Sequence, residues 1–340
     1  MKNTIGLIFL VISIFNLTAC QTLSTPEFAP KYDIEQHPLI DKIWSTAEKT
    51  YIPADTLKAQ VLKHNAILLG ETHDNARQHQ LQALFIQHLL DNQRSPSIAF
   101  EMLNRNQQDI IDQFQSAHNK VHNKTDAFAE VIQWQKTGWP EWPYYRPVFN
   151  TAIENNLPII AANQDRASIR KVIKQGSKTL AQNYQDLLTK YQYDEALKKK
   201  LEQEILSAHC DMLPEKMLAP MLMGQQVRDL SMTLAMLSPL TLTDQEAAQG
   251  SRATVVLIAG SGHTRSDYGV PYYLQQEAPE LDIISIAFIE VRDGKFEPHD
   301  YTSPWGTEEL PFDYVWFTPH AQREDQCEKM KAHMQKKTKS

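Results

Sequence analysis

Residues 66–74 read Ala66-Ile67-Leu68-Leu69-Gly70-Glu71-Thr72-His73-Asp74, and their order decides the fold. An apolar run without periodicity reads as a strand buried on both faces, and this one stops at a glycine and releases a glutamate, a histidine and an aspartate. The next segment, Asn75 to Leu90, places Leu81, Leu84, Phe85 and Leu89 at helical spacing, with Asp74 in position to cap the first turn. Strand, polar turn and helix in that order form a unit of an open parallel sheet, where ligands sit outside the carboxyl ends of the strands. Other strands ending the same way should bring their polar residues to one crevice.

Three further segments repeat the pattern. Ser97-Ile98-Ala99-Phe100 runs into Glu101-Met102. Glutamate is rarely left in a core without a partner, so Glu101 is expected to face the same crevice as Glu71 and His73; the other reading is a structural cap on a neighbouring turn. Pro158 to Ala162 ends in Asn163-Gln164-Asp165-Arg166, where Asp165 suits a helix cap and Arg166 suits an anionic group. Ala253 to Gly260 ends in Gly260-Ser261-Gly262-His263, so Gly-x-x-His stands at two strand ends. Glycines there permit a tight turn and close backbone approach, leaving the imidazole projecting. Asp282 to Val291 and Tyr314 to Thr318 complete the strands, and the expected class is α/β with a large, mostly parallel sheet flanked by helices.

Between these strands lie helical stretches. Asn106 to His118 and Thr125 to Lys136 read as helices, and Ser168 to Leu240 is mostly helical with no strand-like run. The segment from Gly138 to Pro147 holds three prolines with Trp139, Trp142, Tyr144 and Tyr145, which predicts an ordered aromatic loop rather than a regular helix. Such a loop is either a hydrophobic plug or a wall for a flat apolar ligand. The methionines after Glu215 read as adaptable core. The expected division is a lipoprotein signal peptide at 1–19, a lipid-anchored tether at 20–40, a sheet domain at 41–165 and 250–325, a helical subdomain at 166–249 and a basic tail at 326–340.

A chain of 340 residues, 42% hydrophobic, can bury one large core or a core with a subdomain. A net charge of -7 leaves no nucleic-acid footprint. At the N-terminus, Lys2, an apolar run from Ile5 to Leu17 and then Leu17-Thr18-Ala19-Cys20 read as a secretory signal with a lipobox, cut before a lipid-bearing Cys20. Gln21 after that cysteine points to the outer membrane of a Gram-negative bacterium, with acyl chains as the attachment. The other two cysteines, Cys210 and Cys327, are expected to pair in an oxidising compartment.

Glu71, His73, Glu101 and His263 are residue types that bind metal or share protons. Two imidazoles and two carboxylates suit a divalent ion carrying an activated water, which would make a hydrolase. They equally suit a buried hydrogen-bonded network with no turnover. The sequence holds no nucleophile elbow, phosphate loop or dinucleotide fingerprint.

Gly70-Glu71-Thr72-His73-Asp74, Phe100-Glu101-Met102, Ala162-Asn163, Gln226-Val227-Arg228-Asp229, Ala259-Gly260-Ser261-Gly262-His263 with Gly269-Val270-Pro271, and Tyr314-Val315-Trp316-Phe317-Thr318 occur in this order. Together they resemble the ChaN-like family of haem-binding uptake lipoproteins, grouped with Tiki and erythromycin-esterase-like proteins. The resemblance implies a role in iron acquisition rather than catalysis, a homodimer enclosing two stacked haems, and an outer-membrane haem receptor as a further partner. It also implies a tyrosine on each iron, with a histidine and a lysine of the other copy at the propionates. Carried onto this chain, the ligand is Tyr145, with Tyr144 second, and the propionate contact is His209.

Overall fold

The computed structural model describes residues 28–117, 123–241 and 253–338. Its strands, in chain order, are β1 (Tyr32–Ile34), β2 (Ile43–Ser45), β3 (Thr50–Ile52), β4 (Ala66–Glu71), β5 (Ser97–Asn104), β6 (Ile159–Asn163), β7 (Val255–Gly260), β8 (Ile283–Glu290), β9 (Tyr314–Thr318) and β10 (His320–Ala321). Eight of them form one sheet in the order β3-β2-β9-β8-β4-β7-β5-β6. Neighbours from β9 to β6 are all parallel, and the antiparallel pairs, β9 with β2 and β2 with β3, lie at one edge. This is the mostly parallel α/β sheet that the buried strand runs predict.

The strands are apolar on both faces because helices cover both. Helices α1 (Ala54–Val61), α2 (Ala76–Asp91), α3 (Gln108–Ala117), α4 (Lys124–Val131) and α5 (Trp142–Glu154) belong to the first layer. Their side chains meet Ile67, Leu69, Ile98, Phe100, Val256 and Ile258. Next come α6 (Arg166–Gln175), α7 (Gln182–Lys190), α8 (Glu195–Ala208) and α9 (Leu218–Thr241). The second face carries smaller residues, Ala66, Ala99 and Ala259 among them, which let Met232, Ala235 and Met236 of α9 settle closely. The first part of α9 instead packs in a tyrosine-rich annex, with Leu222 and Leu230 beside Tyr184, Tyr191 and Leu201. A single-turn helix α10 (Ser261–Thr264), then α11 (Val270–Glu277), follow β7, and α12 (Gln326–Thr338) ends the described chain.

β4 and β7 are neighbours, yet their continuations part. The chain leaves β4 into α2 on the first face and leaves β7 toward α11 on the second. Divergence of this kind opens a crevice at the carboxyl ends of the strands. The two Gly-x-x-His motifs therefore stand side by side, with Glu71 paired in register with Gly260.

Three expectations are corrected. The tether does not reach 40, because Tyr32 pairs with Ala321 and Leu39 is buried beside Phe317. The aromatic segment is not a loop: it enters α5 at Trp142, with Pro143 in the first turn and Pro147 inside the helix. Proline suits the first turn, where its N–H would be unbonded anyway, and Pro147 removes only one further bond. The cap of α2 is Asn75, whose side chain accepts from the N–H groups of Arg77 and Gln78, while Asp74 pairs with Arg323 at 2.8 Å. The expected pairing of Cys210 with Cys327 is present, with Cα atoms 5.5 Å apart, and it fastens a tail that is helical from Gln326. The signal peptide and Cys20 lie outside the described residues.

Candidate functional site at the strand ends

Alternation along the strands sends the two glutamates to different neighbours. Glu71 follows the parity of Ile67 and Leu69 and meets α2 and α5. Its Oε1 accepts from the Tyr145 hydroxyl at 2.5 Å and from His73 Nδ1 at 3.0 Å. Its Oε2 accepts from Gln82 Nε2 at 2.7 Å and lies 3.2 Å from His79 Nε2. Glu101 faces α9 and α10: Oε2 accepts the Gly260 N–H at 2.8 Å, and Oε1 lies 3.4 Å from His263 Nε2. His263 Nδ1 donates to Asp229 at 2.6 Å, and His73 spans the two halves, its Nε2 3.9 Å from Glu101.

The close approach depends on two glycines. A Cβ on Gly70 would run into the Thr264 hydroxyl, and one on Gly260 would sit 3.0 Å from the His73 ring. Glycine leaves that space to the imidazole and to the turn that carries His263.

Charge alternates along the chain Asp229, His263, Glu101, His73, Glu71. Burial would raise Glu71, but His79 and His73 outweigh it and hold the carboxyl well below its ordinary range. The same competition, won by His263 and His73, holds Glu101 at about 2. Burial would lower His263, but Glu101 and Asp229 push it up to about 10, and His73 is raised against its own burial by Glu101 and Glu71. Burial wins at Asp229, which is raised. A general base works best with a pKa near the working pH, and His263, pushed up to about 10, holds its proton firmly. The cluster supplies a charge lattice rather than a free base.

All four predicted strand-end residues, Glu71, His73, Glu101 and His263, come together. As a metal centre they do not fit: among the described residues no three histidine, cysteine, aspartate or glutamate side chains are grouped as a ligand set. Each carboxylate is instead taken by imidazoles and N–H donors. Tyr145 joins the same cluster. It is fully buried, its ring tilted against that of His79 with centroids 4.1 Å apart, and Glu71 occupies its hydroxyl, so burial first and then that charge drive its pKa well up. A phenol held this way has no open side for an iron. Tyr144 is half-buried, edge-on to Phe28 at 4.7 Å. His209 caps α8, its Nδ1 donating to the Ile205 carbonyl at 2.7 Å.

His79, Gln82 and Asp229 have roles here that sequence reading did not assign. A signal existed for the first two: His79, Gln82, Ile86 and Leu89 fall on one helical stripe, so the apolar face of α2 turns polar just where the strand ends.

The lattice floors a crevice of about 510 Å³ whose walls include Trp139, Asn163, Arg166, Arg228 and Lys136. Beside it an apolar hollow of about 290 Å³ is lined by Leu201, Ile205, His209, Leu222 and Trp305, and Gln225 borders both.

Fold and site define a parallel α/β protein with a polar crevice at its switch point and a helical annex. Residues 57–274 match the family described as haem-binding uptake, Tiki superfamily, ChaN, and the chain belongs to that family. Its fold is similar to the solved structure of cofacial heme binding to ChaN of Campylobacter jejuni, at 21% identity over 83% of this chain and 97% of that one, with a TM-score of 0.63. A mutant of the erythromycin esterase EreC in its open conformation is a weaker likeness, 10% identical over 84% of this chain and 99% of that one, with a TM-score of 0.40. No curated protein matches the chain.

Proposed function

We propose that the protein is an exported haem-binding lipoprotein of iron uptake, anchored through Cys20 at the outer membrane and dimerising around stacked haems. The observation that carries this reading is membership of the haem-binding uptake family across residues 57–274. Two others support it: the structure it resembles, that of Campylobacter jejuni ChaN, is one of cofacial heme binding, and the lipobox of Leu17 to Cys20 suits a carrier held at a membrane.

Of the two tyrosines named from sequence, Tyr144 is the proposed iron ligand, because Tyr145 has neither exposure nor a free hydroxyl. A phenolate is a hard anionic donor suited to ferric iron, and its loss on protonation suits transient carriage. His209 is the proposed propionate contact in the second copy: its Nδ1 bond to Ile205 leaves Nε2 for a ligand beside the apolar hollow. An outer-membrane haem receptor is the proposed delivery partner.

Hemin titration followed by absorbance, with sedimentation in parallel, tests the reading. A tyrosinate-type high-spin spectrum and a doubled mass are expected in the native chain, and the spectrum should be lost in Tyr144→Phe. Hemin binding unchanged in that variant overturns the ligand; no uptake at all overturns the function.

A further inference from the structure

The haem contacts proposed above, Tyr144 and His209, leave out the cationic wall of the strand-end crevice. Arg228 enters it half-buried from α9, with Nη1 donating to Asn163 Oδ1 at 3.0 Å. Arg166, the first residue of α6, lines the same space from its exposed side, and Lys136 stands at its mouth. Neither arginine has a carboxylate within ion-pair distance among the described residues. Three other guanidinium groups are paired directly, Arg265 with Glu204 at 2.8 Å, Arg323 with Glu290 at 2.5 Å and Arg146 with Asp126 at 3.0 Å, whereas Arg105 reaches only the Ser231 carbonyl among the described residues.

The unpaired arrangement is costly. Burial lowers the proton affinity of Arg228, and the charge of Arg166 lowers it further. Glu101 and Asp229 act on Arg228 from beyond contact distance, and His263 already engages both. Glu101 and Asp165 also line this cavity, but Glu101 is engaged by His263 and the Gly260 N–H and Asp165 by the first turn of α6, so the two guanidinium groups are left as an oxyanion clamp, since the planar fork of arginine matches carboxylate and phosphate oxygens in pairs.

We propose that this crevice is a second ligand site, distinct from the haem face, for a small molecule bearing a carboxylate or phosphate group. Arg228 holds the oxyanion in a bidentate contact, Arg166 and Lys136 complete its neutralisation, and Trp139 offers a flat wall to the rest of the molecule. A volume of about 510 Å³ suits a metabolite-sized ligand rather than a polymer.

Calorimetric titration of the full protein with citrate, and separately with inorganic phosphate, tests the site and tells the two chemistries apart. At least one of the two should bind, and its affinity should fall about tenfold or more in Arg228→Gln and in Arg166→Gln, the loss of a charge-assisted pair of bonds. Arg166 is exposed, so its variant reports on binding even if Arg228→Gln folds poorly. Hemin affinity should stay within about twofold in both variants, which separates this site from the haem reading. Absence of binding by both anions at millimolar concentration, equal affinity in both variants, or displacement of the anion by hemin would each overturn the proposal.

Discussion

Tyr145 of α5 donates its hydroxyl to Glu71 at the end of β4 across 2.5 Å, tying the aromatic layer to the charge lattice. The bond reaches a buried carboxylate, and hydrogen bonds to charged groups contribute about 1.5–3 kcal/mol. Tyr145→Phe should therefore lower the unfolding free energy by about 2 kcal/mol in urea at pH 7, with the hemin spectrum retained. Loss of the spectrum with stability unchanged would restore Tyr145 as the ligand.

The imidazolium of His263 makes stability depend on pH above neutrality. Its folded pKa is raised from 6.5 to about 10, so the contribution is complete below 6.5 and is lost as pH rises toward 10. For one proton the slope is at most about 1.4 kcal/mol per pH unit. Nitrogen resonances of the ring should titrate near 10. Glu101→Gln removes the largest of the charges that oppose burial and should lower that midpoint, and His263→Gln should flatten the alkaline limb. A native midpoint near 6.5 would contradict the lattice.

Much of this arrangement is legible in the sequence, for identifiable reasons. β4, β7 and β8 are long and buried on both faces, so their apolar runs stand out, and the residues just after them are forced to the crevice. β1, β2, β3 and β10 are three residues or fewer, with no run long enough to carry a pattern, and they exist through their pairing with β9 and with one another. The aromatic segment misleads because proline counts against a helix by composition, whereas its position in the first turn permits one. Asp229 lies deep in α9, and nothing local distinguishes a carboxylate that will meet His263, 34 residues on, from one that faces solvent.

The disulfide decides whether the C-terminal helix stays docked. In α12 the residues from Glu328 to Lys331 are exposed apart from the half-buried Met330, so burial of these side chains adds little to the covalent link. Helices of this length are marginal without packing. Reduction, or Cys327→Ser, should open the segment to trypsin at Lys329 and Lys331 at least about tenfold faster while the sheet domain stays intact. Equal cleavage rates with and without reductant would show that packing alone holds the helix.

The two Gly-x-x-His motifs can be pried apart at Gly70. An added methyl there meets the Thr264 hydroxyl and lies 3.0 Å from Ser261 Cα, so one obstacle is a removable side-chain atom and the other is backbone. Overpacking of a tight site costs about 1–3 kcal/mol. Gly70→Ala should lose stability in that range, and Thr264→Ala should lose less. The double variant should be more stable than the sum of the two losses by about 1 kcal/mol, since contacting residues couple. Calorimetric unfolding of all four proteins closes the cycle. Strict additivity would mean that the clash falls on the backbone of the turn, and His263 would then shift with it, visible as a changed titration midpoint in Gly70→Ala.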